Sequence, residues 1–79
     1  MKIYVGSLSK DVTEDDLRTA FHPFGPVESV DLAKDKRSGE SKGFGFVVMP
    51  DSGNAASAIA GLNGKEIRGR AVKVNEARL

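Results

Sequence analysis

Lys42, Phe44 and Phe46 stand at alternate positions in one short segment, KGFGFV. Side chains alternate between the two faces of a strand, so these three would share one face if the segment is extended. Tyr4 lies in a second β-rich segment near the start of the chain, KIYVG. Flat rings that face solvent can stack on nucleic-acid bases, and a neighbouring ammonium group can attract phosphate.

The first of the elements that would position these residues is a strand over Lys2–Gly6, and a helix is predicted to follow it. Thr13 can cap this helix, and Asp16, three residues on, can complete a capping box. Pro23 and the Gly25-Pro26 pair are predicted to end the helix. Four apolar residues have the spacing of one helical face: Leu17, Ala20, Phe21 and Phe24.

Three more strands are predicted downstream, at Val27–Ala33, Lys42–Met49 and Arg70–Asn75. A second helix is predicted to start after Pro50-Asp51-Ser52. Its apolar stripe comprises Ala55, Ala58, Ile59 and Leu62. Asn63-Gly64 is a turn signal, and a short hairpin arm is predicted over residues 65–67.

The predicted element order is β-α-β-β-α-β, which favours an α+β fold of the ferredoxin-like type. In this plan the sheet has four antiparallel strands, and two helices cover one of its faces. The other face must then meet solvent or a ligand, because the sequence offers no third helix.

Alternation decides which side chains face the helices. Ile3 and Val5 would point inward, together with Val47 and Met49, and Gly45 would let a helix approach closely. Tyr4, Phe44 and Phe46 would then form an aromatic cluster on the open face, since the first and third strands are neighbours in this topology. The alternative, a strand buried on both faces, is disfavoured by the lack of a second covering layer.

Further cations and one amide are candidates for contacts on the same side. Lys2 shares the face of Tyr4, and Lys73 and Asn75 are expected on the open face of the last strand. Arg37 lies in the charged loop over residues 34–40, for which a solvated loop and a phosphate-guiding loop are equally favoured. Arg78 follows the last strand, where a tail could cross the sheet edge.

Composition excludes several functional classes. The chain of 79 residues has no cysteine and one histidine, which excludes thiolate chemistry and multi-histidine metal sites, and one domain over 1–79 is expected. No apolar run approaches the roughly 20 residues that span a bilayer. The net charge is +1, but residues 1–33 carry three basic and six acidic side chains, whereas residues 63–79 carry five and two. We expect a cytoplasmic monomer.

The octapeptide KGFGFVVM at residues 42–49 resembles the first ribonucleoprotein motif of the RNA-recognition-motif family, and IYVGSL at residues 3–8 resembles the second. The resemblance covers the whole chain. It implies that bases stack on Tyr4, Phe44 and Phe46 and that Lys42 pairs with phosphate. The chain departs from the family at Met49, where an aromatic is favoured, and at Ser7, where Asn is frequent. The short start and the ending VNEAR most resemble compact single-domain bacterial members.

The sequence therefore predicts single-stranded RNA binding without catalysis, over about 2–4 nucleotides, in post-transcriptional regulation or RNA chaperoning. Single-stranded DNA is a second possible ligand, because stacking needs no 2′-hydroxyl. A protein-interaction module on the same fold is the alternative function. An enzyme is disfavoured, since no catalytic constellation is found, and no cofactor, metal or membrane is expected.

Overall fold

The computed structural model describes residues 1–77 of the chain. The elements, in chain order, are β1 (Lys2–Gly6), α1 (Glu14–Phe21), β2 (Ser29–Lys34), β3 (Ser41–Val48), α2 (Ser52–Leu62), β4 (Glu66–Ile67), β5 (Arg70–Ala71) and β6 (Lys73–Glu76).

The central sheet has four strands in the order β2-β3-β1-β6, and every neighbouring pair is antiparallel. Both helices pack against one face of it. The buried core joins inward side chains of the strands, such as Ile3 and Val47, to helical residues such as Leu17 and Ala58. The predicted ferredoxin-like plan is confirmed, and no helix among residues 1–77 covers the second face of the sheet.

The start of α1 has the predicted capping box. The Thr13 hydroxyl accepts a hydrogen bond from the Asp16 N–H at 3.2 Å, and the Asp16 carboxylate accepts one from the Thr13 N–H at 2.9 Å. The α-helix ends at Phe21, and a 3₁₀ turn over His22–Phe24 follows it. Proline fits this turn because it needs no N–H at the start of a helical segment.

The end of the chain differs from the predicted strand over Arg70–Asn75. Strand β5 pairs with β4 in a separate two-stranded sheet, and only β6 joins the central sheet. Val72 lies between them, where its N–H donates to the Lys65 carbonyl and its own carbonyl accepts from the Gly64 N–H. These bonds to the turn after α2 divide the predicted strand.

The close approach predicted at Gly45 involves a strand instead of a helix. A Cβ at this position would lie 2.8 Å from the carbonyl oxygen of Asp31 and 3.2 Å from the Cα of Leu32. Because Leu32 is the register partner of Gly45, the missing side chain lets β2 and β3 lie tightly together. The prediction of a close helix was wrong.

Neither helix within residues 1–77 is both long and apolar enough to cross a membrane.

Candidate nucleic-acid interface

Tyr4, Phe44 and Phe46 form one aromatic cluster on the open face. Their ring centroids lie 6.1 Å apart for Tyr4–Phe44, 5.9 Å for Tyr4–Phe46 and 6.2 Å for Phe44–Phe46. The first pair is nearly parallel, at 27°, and the other two meet edge to face. All three residues are half-buried, so part of each remains accessible while the rings support one another.

The register of the sheet sets two of these rings in one cross-strand row. Phe46 faces Asp31 on one side and Tyr4 on the other, and Tyr4 in turn faces Asn75. Directly opposed residues of antiparallel strands point to the same face. The row therefore reads carboxylate, ring, ring, amide from β2 to β6, and we call Asp31, Phe46, Tyr4 and Asn75 the central row.

Gly6 explains how the Tyr4 ring is oriented. A Cβ on Gly6 would lie 2.7 Å from Cε2 and 2.8 Å from Cζ of Tyr4, which is closer than carbon atoms can pack. The ring therefore extends along β1 over the position where Gly6 has no side chain. The register partner of Gly6 is Lys73, an exposed residue of β6 on the same face of the sheet.

Lys2 is bound to the aromatic cluster itself. Its ammonium nitrogen lies 4.6 Å from the centroid of the Phe46 ring, within the range of a cation–π interaction. Such a contact holds positive charge close to any base that stacks on the ring. The phosphate contact predicted for Lys2 remains a prediction, since in this structure the Lys2 ammonium group contacts the Phe46 ring.

The alternation that related Lys42 to Phe44 is interrupted between them. Gly43 has a φ of +87°, and the register of β2 with β3 shifts in the same region. At such a bulge the side chains no longer alternate regularly. The structure leaves Lys42 exposed but places it in a groove at the end of the sheet, so its contact with phosphate also remains a prediction.

This groove contains two cations that sequence reasoning missed. Lys10, from the loop after β1, and Arg70, from β5, line it together with Lys42, and its volume is about 300 Å³. A weak ion pair joins Lys10 to Glu40 at 3.8 Å, with both side chains largely exposed. We call Lys10, Lys42 and Arg70 the cationic groove. No local pattern could have grouped residues so far apart in the chain.

Three predicted contact residues remain: Asn75, Arg37 and Arg78. Asn75 is exposed in the central row, as the prediction required. Arg37 is exposed in the β2–β3 loop, whose turn is held by N–H groups of Arg37 and Ser38 that donate to the Asp35 carboxylate at 2.8 and 3.1 Å. These two hydrogen bonds lower the pKa of Asp35. Arg78 lies outside the described residues.

No group of three or more His, Cys, Asp or Glu side chains that could hold a metal ion occurs within residues 1–77. The candidate site consists of rings, cations and hydrogen-bonding groups on one face of the sheet. Such a surface is suited to binding a strand of bases.

Comparison of the sequence with known proteins gives a consistent result. The sequence profile of the RNA recognition motif matches residues 3–73. The chain is 49% identical over 78 residues to the putative RNA-binding protein RbpE of Nostoc sp., covering 99% of this chain and 79% of that protein. It is 47% identical over 74 residues to the human probable RNA-binding protein 23, of which it spans only 17% while 94% of this chain is covered.

Solved structures that resemble this chain come from the same kinds of protein as the sequence relatives. The RNA-binding protein PG1 superposes with a TM-score of 0.94 at 43% identity, covering 98% of this chain and 93% of that one. The Rna15 RRM with bound RNA (GU) superposes with a TM-score of 0.86 at 32% identity, covering 96% of this chain and 81% of that one.

Proposed function

This chain belongs to the RNA recognition motif family, and we propose that it binds single-stranded RNA by stacking bases on Tyr4, Phe44 and Phe46. The predicted resemblance to bacterial members is confirmed by the Nostoc relative. That relative is named a putative RNA-binding protein, and the Rna15 RRM has a solved structure with bound RNA (GU).

The observation that carries the proposal is the aromatic cluster on a sheet face that neither of the helices in the described part of the chain covers. Three mutually supported rings within about 6 Å of one another provide a platform for two or three bases. Each stacked base contributes about 1–3 kcal/mol, and every base has a flat face that can stack. The proposed site size is about 2–4 nucleotides.

Cations around the platform would bind the sugar-phosphate backbone. The cationic groove lies at one end of β1 and β3, while Lys2 contacts Phe46 and Lys73 faces Gly6. Arg37 and Arg78 extend the proposed set. Single-stranded RNA that follows the sheet would release counterions on binding, so the affinity should fall as salt is added.

The double variant Phe44→Ala/Phe46→Ala tests the stacking. We expect its affinity for a short single-stranded RNA to fall by about 1–3 kcal/mol per lost stack, measured by fluorescence anisotropy. Phe24→Leu serves as the control, because this half-buried ring packs on the helical side of the sheet. A double variant that stays folded by circular dichroism and keeps its RNA affinity would contradict the proposal.

We further propose that the protein is a monomer and that it acts in the cytoplasm, in post-transcriptional regulation or RNA chaperoning. Single-stranded DNA of the same base sequence is the comparison ligand, since stacking alone does not distinguish RNA from DNA.

An NMR titration separates RNA binding from the alternative function, a protein-interaction module. RNA should shift the signals of the aromatic cluster, whereas a protein partner on the helical side should shift the signals of α1 and α2.

A further inference from the structure

Asp31 places a carboxylate on the open face, directly beside the aromatic cluster. It is the register partner of Phe46, and Phe46 shares its face with Tyr4. Opposed residues of antiparallel strands have Cβ atoms about 4.5–5.5 Å apart, so a base that stacks on Phe46 would extend over Asp31. The side chain is exposed, and within residues 1–77 no hydrogen bond or ion pair engages its carboxylate.

A free carboxylate is an unusual neighbour for a strand of phosphates. It repels them, and it can only accept hydrogen bonds. It therefore favours binding only where the ligand presents donors to it. Single-stranded RNA presents two kinds of donor: the 2′-hydroxyls, which are the same in every nucleotide, and the N–H groups on the exposed Watson–Crick edges of unpaired bases. Only the N–H groups differ from base to base, so only they can give a base preference.

The four bases differ sharply as partners for two carboxylate oxygens. Guanine presents two adjacent donors, N1–H and N2–H₂, which can bind both oxygens at once. Cytosine and adenine each present one amino group next to an acceptor nitrogen. The single N–H of uracil lies between two carbonyl oxygens, which a carboxylate repels. Hydrogen bonds to a charged acceptor are also stronger than neutral ones.

We infer that Asp31 selects guanine for the base that stacks on Phe46. The inference rests on the RNA-binding function proposed above and adds a base preference to it. Asn75, at the opposite end of the central row, carries both donors and acceptors, so it does not impose the same restriction on a base that stacks on Tyr4. The selectivity is therefore expected to come from the β2 side of the sheet.

The alternative role of the Asp31 charge is to prevent the edge of the sheet from pairing with another chain. Strand β2 lies at an edge of the sheet, and charged side chains on edge strands hinder pairing with other chains. In that case any charge on β2 would serve, and removing it would leave the base preference unchanged. The two roles thus predict different outcomes for one substitution.

The test compares an all-uridine RNA octamer with octamers that carry one central guanosine, adenosine or cytidine. Binding is measured by fluorescence anisotropy for the wild type, Asp31→Ala, Asp31→Asn and Glu28→Gln. The last is the matched control, because it removes one negative charge from an exposed residue just before β2 that lies outside the central row.

We expect the wild type to bind the guanosine octamer about tenfold more tightly than the all-uridine octamer, the discrimination typical of one bidentate base contact. In Asp31→Ala the ratio of the affinity for the guanosine octamer to that for the all-uridine octamer should fall to about one. In Asp31→Asn this ratio should fall to a value between those of Asp31→Ala and the wild type. Glu28→Gln should keep the ratio of the wild type. Equal affinities of the wild type for all octamers, or an unchanged ratio in Asp31→Ala, would overturn the inference while leaving RNA binding intact. A wild type that binds none of the octamers would overturn the proposed function and the selectivity with it.

Discussion

At the scale of single residues, the shape of the open face depends on an absent side chain. The Tyr4 ring lies where a Cβ of Gly6 would be, and Gly6 is itself buried beneath it. The backbone of Gly6 does not have a positive φ. A larger residue there would therefore strain the position of the ring and not the backbone.

Gly6→Ala should weaken RNA binding by displacing Tyr4. We expect a loss of up to about 1–3 kcal/mol, the contribution of one stacked base, with little change in the free energy of unfolding. A double-mutant cycle provides the control: in a Tyr4→Ala background, Gly6→Ala should have almost no further effect on affinity. Equal losses in both backgrounds would show that Gly6 acts independently of the ring.

Asp16 gives the fold a dependence on acidic pH. Its carboxylate accepts hydrogen bonds from Arg68 Nε at 2.7 Å and Nη2 at 3.2 Å, in addition to the one from the Thr13 N–H. The hydrogen bond from Arg68, followed by that from Thr13, lowers the pKa of Asp16 from 3.8 to about 2. The ion pair ties the start of α1 to the β4–β5 hairpin.

Because the folded-state pKa of Asp16 is lowered, its contribution to stability is present above pH 3.8 and is lost as the pH falls towards about 2. Asp16→Asn should therefore lose less stability than the wild type over this interval. Urea unfolding at several pH values measures the difference. Arg68→Gln, which removes the largest cause of the lowered pKa, should also lose less stability than the wild type over this interval, and an identical slope for Asp16→Asn and the wild type would contradict the assignment.

At the scale of elements, the sequence was sufficient wherever the signal is local. The capping box at Thr13 and the alternation in β1 and in β3 from Phe44 onward depend on residues a few positions apart, and both were predicted correctly. The division of the last strand depends on hydrogen bonds from Val72 to the turn after α2, which no local pattern encodes. The bulge at Gly43 likewise depends on pairing with distant strands, so strict alternation was insufficient to place Lys42.

Asn63 connects two elements and was interpreted from the sequence only as part of a turn. Its side-chain oxygen accepts a hydrogen bond from the Val74 N–H at 3.1 Å, which joins the end of α2 to β6. Strand β6 lies at an edge of the sheet, so this partly buried N–H depends on Asn63 for its partner.

Asn63→Ala should lower the free energy of unfolding by about 1–3 kcal/mol, because it leaves the Val74 N–H without an acceptor. Urea unfolding measures the loss. Ser57→Ala, at an exposed position of α2, is the control and should change stability by less than about 0.5 kcal/mol. If both variants were equally stable, the bond from Val74 would be without energetic consequence.

At the scale of the whole molecule, the distribution of charge matters more than its sum. The net charge is only +1, yet the cationic groove gathers three cations, while the first turn of α1 holds Glu14, Asp15 and Asp16. The sequence showed that positive charge is concentrated late in the chain. It could not show that Lys10 and Arg70 converge with Lys42, because the fold alone brings these three residues together.

The salt dependence of RNA affinity distinguishes attraction of RNA by the cationic groove from attraction by the net charge of the protein. For single-stranded RNA the slope of log K against log salt concentration is about −0.7 for each neutralised phosphate, so Arg70→Ala should reduce its magnitude by roughly that amount. Arg18→Ala changes the net charge equally, but it lies on α1, on the covered side of the sheet. Its slope should equal that of the wild type. If both variants lowered the slope alike, RNA would respond to the net charge of the protein, and the cationic groove would have no special part in holding the RNA backbone.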